Sequence, residues 1–109
     1  MKLEYAWAAG IIDGEGCFTS QTHSKGGKKY PRLVISQSSN CGVPEILLRC
    51  KALFGGSINI QAPRGKQDKP AYKLYLGSKA TKLAAEKVWP WLGKLKKEQA
   101  KQVGIDILV

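Results

Sequence analysis

The 109-residue sequence predicts an α+β fold with the element order α-β-β-α-β-β-α-α. Three observations predict it. Four short runs alternate apolar and polar residues with a period of two, and four longer runs repeat apolar residues at helical spacing. Each pair of alternating runs is joined by a basic stretch carrying glycine or proline, as a hairpin requires. The length fits one domain, residues 1–109, with a modest core. No linker divides it, and the only repetition is an approximate doubling of the αββ unit.

The first helix is expected from about Leu3 to Asp13. Ala6, Ala9, Gly10 and Asp13 fall at i, i+3, i+4 and i+7, a narrow stripe of small residues, with Trp7 and Ile11 on another face. Such a stripe lets two backbones approach closely, inside one domain or between two copies. The first strand, Cys17 to Thr22, places Phe18 on one face and Cys17, Thr19, Gln21 and, just beyond it, His23 on the other. A glycine-rich basic turn, Ser24 to Lys29, leads to the second strand, Tyr30 to Ser38. There Leu33 and Ile35 suit the core, and Arg32 and Ser36 a polar partner.

Turn chemistry at Ser38 to Gly42 and Pro44 near a helix start introduce the second helix. Its stripe of Ile46, Leu47, Cys50, Leu53 and Phe54 reads as core, and Gly55-Gly56 stops it. The third strand, Ser57 to Ala62, turns Ile58 and Ile60 inward and Ser57, Asn59 and Gln61 outward. After a second basic turn, Pro63 to Pro70, the fourth strand runs from Ala71 to Leu76, with Leu74 and Leu76 inward and Lys73 and Tyr75 outward. Ser78 is expected to cap the third helix, Lys79 to Trp89, whose stripe of Leu83, Ala84, Lys87 and Val88 faces the sheet. Trp89-Pro90-Trp91 is a boundary. The fourth helix begins near Lys94 and sets Leu95, Ala100, Val103 and Ile107 against Lys94, Lys96, Lys97 and Lys101, with Gly104 weakening its end.

Lys plus Arg number 18 against 8 Asp plus Glu, a net charge of +10. That is the footprint of a nucleic-acid partner. A membrane partner is not expected: no basic amphipathic helix has an aromatic face, and no apolar run approaches a span. Met1-Lys2-Leu3 leads straight into the first helix, so no signal peptide is expected. Cys17, Cys41 and Cys50 lack metal-finger spacing and read as reduced, packing cysteines of an intracellular protein. His23 is the only histidine, and nothing builds a nucleophilic constellation around it.

The outward set of the strands and turns is Thr19, Gln21, His23, Lys28, Tyr30, Arg32, Ser36, Ser57, Asn59, Gln61, Arg64, Lys73 and Tyr75. It contains no acid. A solvated face explains the alternation, but Gln, Asn, Arg and Lys are the side chains that read base edges in a major groove. These residues are therefore the candidate DNA-binding face.

The acids of interest lie at the end of the first helix, where Asp13 and Glu15 alternate with Gly14 and Gly16. A helix C-terminus carries partial negative charge, so two carboxylates there need a cation or a capping role. Glycine at 14 and 16 is expected to turn the chain sharply through conformations other residues resist. Two readings stay open on the residues alone. One is a turn whose acids cap and solvate; the other is a site for a hard divalent cation such as Mg²⁺, held by carboxylates and the Gly14 carbonyl.

Ala8-Ala9-Gly10-Ile11-Ile12-Asp13-Gly14-Glu15-Gly16 resembles the motif of the LAGLIDADG homing endonucleases, with Ala8 in the first leucine position and Glu15 in place of the second aspartate. The element order also matches that family, and the resemblance extends over nearly the whole chain. It implies a four-stranded antiparallel DNA-binding sheet backed by helices. It implies further that the motif helix is a subunit interface through Ala6, Ala9, Gly10 and Asp13, with Asp13 capping the partner helix. One motif in a short chain implies a homodimer acting on a near-palindromic double-stranded DNA target.

For the reaction, the resemblance implies that Glu15 and the Gly14 carbonyl bind Mg²⁺, with Mn²⁺ as a substitute. Gln37 matches a position that orients water, and Lys96 a basic residue near the scissile phosphate, with Lys94 and Lys97 as alternatives. Two departures stand out: Glu15 is one methylene longer than aspartate, and Ser38-Ser39-Asn40-Cys41 lacks a basic residue that some relatives carry. The reading is an intron-encoded type of site-specific double-strand endonuclease. A different class of function on the same scaffold is a binding module, either an RNA maturase acting on an intron RNA or a non-catalytic DNA-binding protein.

Overall fold

A computed structural model of the chain describes residues 2–22, 27, 29–61 and 69–107. Helix α1 covers Lys2–Glu15, β1 Gly16–Thr22, β2 Lys29–Ser38, α2 Glu45–Phe54, β3 Ser57–Gln61, β4 Ala71–Leu76, α3 Ser78–Val88 and α4 Lys94–Gln102, with a 3-10 turn at Trp89–Trp91. The fold is α+β in the expected order. Its four strands pair antiparallel throughout in the order β1-β2-β4-β3, so β2 and β4 are central and β1 and β3 are edges. Most of the two basic turns, including His23, Lys28 and Arg64, lies outside the described residues.

The core follows from the central strands. Leu33 and Ile35 of β2 and Leu74 and Leu76 of β4 are fully buried under Ala8, Ala9 and Ile12 of α1, Leu47 and Cys50 of α2, and Ala84, Ala85 and Val88 of α3. Alanines at 8, 9, 84 and 85 let α1 and α3 lie close to each other and to the sheet. Burying each large aliphatic side chain contributes about 1.5–3 kcal/mol. Among the described residues, the polar side chain buried with them is Thr81. The Thr81 hydroxyl accepts from the Leu33 amide at 2.9 Å and donates to the Leu76 carbonyl at 3.0 Å, joining the start of α3 to the end of the β2–β4 ladder.

Several expectations need correction. α1 continues through Gly14 to Glu15 instead of ending at Asp13. Gly77 occupies the N-cap of α3 and Ser78 is already helical, with no side-chain cap. The buried stripe of α3 is Thr81, Ala84, Ala85 and Val88, and Leu83 is 51% exposed. On α4, Leu95 is 80% exposed while Lys96 is half-buried, so the helix is rotated from the face its apolar residues suggested. Ile60 is 62% exposed because it sits on the edge strand β3, beyond the cover of the helices. Of the cysteines only Cys50 packs in the core; Cys17 and Cys41 are exposed.

Candidate functional site

α1 runs directly into β1, so Glu15 and Gly16 meet at one corner of the sheet. The junction is tight. A Cβ at residue 16 would stand 2.8 Å from the Ile12 carbonyl oxygen and 2.9 Å from the Ile12 Cα, so only glycine fits. Neither Gly14 nor Gly16 has a positive φ, and a Cβ at 14 would meet nothing within 4 Å. The expected glycine-driven turn is thus corrected: residue 16 needs room, and residue 14 needs nothing special in the protomer.

The two acids differ in what they touch. Both carboxylate oxygens of Asp13 accept from the Gly93 amide, at 3.0 and 3.1 Å. Gly93 is the N-cap of α4, a position with no side-chain cap of its own, where unpaired amides and partial positive charge favour an anion. Asp13 therefore caps, as a helix-end acid should, and within the chain the helix it caps is α4. Glu15 is exposed, and its carboxylate has no hydrogen bond or ion pair with another described residue.

α4 brings a cation to the same corner. The Lys96 ammonium donates to the Gly16 carbonyl at 2.7 Å and to Gln99 Oε1 at 3.4 Å, and Gln99 Oε1 also accepts from the Phe18 amide at 2.8 Å. Lys97 is directed elsewhere, its ammonium 5.7 Å from the centre of the Trp89 ring, and Lys94 is exposed. Of Lys94, Lys96 and Lys97, Lys96 is the one bonded to the residue that follows Glu15. Asp13, Gly93, Lys94, Leu95, Lys96 and Gln99 line a cleft of about 430 Å³ here. Sequence reasoning missed Gly93 and Gln99. The one available signal for Gln99 was its spacing, three residues after Lys96 on a helix.

Gln37 alternates with Leu33 and Ile35 and so lies on the helix side of the sheet, opposite the outward set. Gly16 pairs with Ile35, which places Gln37 just beyond the start of β1, at the end of the sheet that α1 enters. Its Oε1 is buried and has no hydrogen-bond partner among the described residues.

On the other face, Thr19 lies opposite Arg32, Gln21 opposite Tyr30, Ser36 opposite Lys73, Asn59 opposite Lys73, Ser57 opposite Tyr75 and Gln61 opposite Ala71. The register thus puts every described member of the outward set on one surface. No strand carries an acid. The Arg32 guanidinium lies 4.2 Å over the Tyr75 ring, a cation–π contact between neighbouring strands. Along α1, Ala9 is 0% exposed within its own chain, so it has no surface to offer a second subunit. Ala6 is half-buried and Gly10 exposed, and a Cβ at Gly10 would meet nothing within 4 Å.

No protein-family model matches the chain, and no curated protein sequence matches it. Solved structures do. The LAGLIDADG meganuclease I-CpaMI bound to uncleaved DNA matches with a TM-score of 0.63 at 20% identity over 85% of this chain. The fold is that of the LAGLIDADG homing endonucleases. The group I intron-encoded homing endonuclease I-CeuI, complexed with DNA, matches with a TM-score of 0.57 at 18% identity over 94% of this chain. The I-SmaMI LAGLIDADG homing endonuclease bound to cleaved DNA matches with a TM-score of 0.50 at 18% identity over 81%. The chain spans 32%, 53% and 29% of those three chains respectively. In this LAGLIDADG fold, residues 8–16 form the second half of α1 and the first residue of β1.

Proposed function

We propose that the chain is a single-motif LAGLIDADG homing endonuclease, a homodimer that makes a site-specific double-strand cut in near-palindromic DNA with the help of a divalent metal. The observation that carries this reading is the pairing of an unengaged acid, Glu15, with a fixed cation, Lys96, at the end of an acid-free sheet face. A purely binding face gains nothing from an anion directed at phosphates. One chain offers one Glu15, and cutting two strands calls for two.

The donor set fits Mg²⁺ in a particular way. Among the described residues no group of three or more His, Cys, Asp and Glu could enclose an ion. Mg²⁺ is commonly held by one or two carboxylates together with substrate phosphates, which suits Glu15 and the Gly14 carbonyl of each subunit shared across DNA. Mn²⁺ fits the same donors. When bound, the metal supplies a more acidic water and charge stabilisation at the phosphate. Lys96 directs an ammonium N–H to a phosphate oxygen, and the Oε1 of Gln37, which has no partner among the described residues, accepts a hydrogen bond from a water and so orients it. Asp13 keeps α4, and so Lys96, in place. The outward set reads base edges, with Gln21, Arg32, Asn59, Gln61 and Lys73 as its main donors and acceptors.

A cleavage selection on a randomised, near-palindromic DNA library with Mg²⁺ or Mn²⁺ tests the reading. Recovery of a cut target is expected, and Glu15→Gln should abolish cutting while keeping affinity. Undiminished cutting by that variant overturns the role of Glu15. No cutting by the parent, with tight binding of a structured RNA, replaces the nuclease with a maturase.

A further inference from the structure

β1 is an edge strand, and the backbone groups of Gly16 and Phe18 that face away from β2 need partners. α4 supplies one donor and one acceptor from side chains a single turn apart. Lys96 takes the Gly16 carbonyl at 2.7 Å, and Gln99 takes the Phe18 amide at 2.8 Å. The two are also joined to each other, since Gln99 Oε1 lies 3.4 Å from the Lys96 ammonium.

An amide oxygen has two lone pairs and an ammonium three N–H groups. Phe18 and Lys96 together fill the acceptor capacity of Gln99 Oε1. On Lys96, the Gly16 carbonyl and Gln99 take two of the three N–H groups, and fixing two directions of a tetrahedral group fixes the third. A lysine stem is otherwise free to sample many rotamers. Because Gly16 directly follows Glu15, the third N–H is held at the corner that carries the unengaged acid.

We infer that Gln99 is a positioning residue for Lys96: pinned by the Phe18 amide, it directs the remaining Lys96 N–H toward the phosphate beside Glu15. This rests on the nuclease reading above. The contact at 3.4 Å is the longer of the two made by Lys96, so Gln99 steers the ammonium that Gly16 anchors. The arrangement also explains why a lysine, and not the neighbouring Leu95, turns toward the sheet on α4.

Gln99→Glu separates positioning from mere edge coverage. A carboxylate still accepts from the Phe18 amide, so the edge stays covered, but its charge draws Lys96 into an ion pair and away from substrate. With the DNA target recovered by the selection, the cleavage rate at saturating protein should fall roughly 10- to 100-fold, the scale of a small misplacement, while the unfolding midpoint stays near the parent's and DNA affinity falls by about as much as loss of the Lys96 phosphate contact alone. The ¹⁵N-detected ammonium resonance of Lys96 should shift in Gln99→Glu and in Gln99→Met. Parent-like cutting by Gln99→Glu, or a Lys96 resonance unmoved by both substitutions, overturns the inference. If the parent cuts no DNA, the nuclease reading fails by itself, and the resonance still decides whether Gln99 holds Lys96.

Discussion

Asp13 grips the Gly93 amide with both carboxylate oxygens, at 3.0 and 3.1 Å, and so ties the end of α1 to the start of α4 across 80 residues of sequence. α4 has no acid in its first turn and no side-chain cap of its own. Replacing Asp13 by Ala should destabilise the protomer by about 1–2 kcal/mol, as loss of an N-terminal cap does, and Asp13→Asn by less. Urea denaturation of the two variants measures this. If Asp13 served a subunit contact instead, Asp13→Ala would raise the dimer dissociation constant and leave the protomer's unfolding unchanged.

Two glycines two residues apart should respond oppositely to alanine. At Gly16 the added Cβ runs into the Ile12 backbone at 2.8 and 2.9 Å, and backbone cannot move aside cheaply. The cost should be about 1–3 kcal/mol, in the range of overpacking. At Gly14, inside a helix with open space around it, alanine should stabilise the protomer by up to about 1 kcal/mol. In the proposed homodimer the open side of α1, which includes Gly10 and Gly14, is the face a second copy would use. Gly14→Ala should therefore weaken dimerisation while raising the protomer's melting temperature. Sedimentation and thermal unfolding read the two effects separately.

What was legible in the sequence can be traced to particular residues. The central strands were readable because burial on one face only leaves a strict alternation, as in Leu33, Ile35, Leu74 and Leu76. The same alternation misled at Ile60, since it reports which face a side chain takes and not whether a helix covers that face. Leu95 and Lys96 mark a different limit. A helical pattern ranks side chains by apolarity, but α4 is oriented partly by the Gly16 carbonyl on the open edge of β1, which takes the Lys96 ammonium as its donor. Acids at the end of α1 need positive charge nearby. For Asp13 that charge is a helix N-terminus far along the chain, and no local pattern points to it.

Cys50 makes the alkaline stability of the protein depend on pH. The residue is 0% exposed, and burial pushes its thiol from an ordinary value of 9.0 up to about 11, with the Arg49 guanidinium pulling weakly the other way. Below about pH 9 the thiol is protonated in both folded and unfolded chains and contributes no pH dependence. Between about 9 and 11 the unfolded chain releases the proton and the folded chain keeps it, so stability falls as pH rises, by up to about 1.4 kcal/mol per pH unit. Cys50→Ala should flatten this slope in urea titrations at pH 8 to 10.5. At pH 8 a thiol reagent should modify Cys17 and Cys41 quickly and reach Cys50 only through unfolding.

The acid-free sheet face should give DNA binding a steep salt dependence that two classes of substitution divide. If each protomer neutralises roughly four phosphates, the dimer releases counterions from about eight, and log affinity should fall with log salt at a slope of about −7. A lysine that meets only phosphate contributes about one unit to that slope and no sequence preference. Lys96→Ala should therefore make the slope shallower by about two units in the dimer and weaken all targets alike. Arg32 differs because its guanidinium is stacked on Tyr75 and faces outward from a central strand. Its planar fork is held ready for a bidentate contact to guanine, worth about 1–3 kcal/mol of discrimination. Arg32→Ala should relax base preference at one position in each half-site, and Tyr75→Leu, which removes the ring but not the arginine, should do so partially. Binding profiles over a library of single-base target variants, measured at two salt concentrations, distinguish the two patterns. A uniform loss across all bases in Arg32→Ala would reduce that arginine to a phosphate contact.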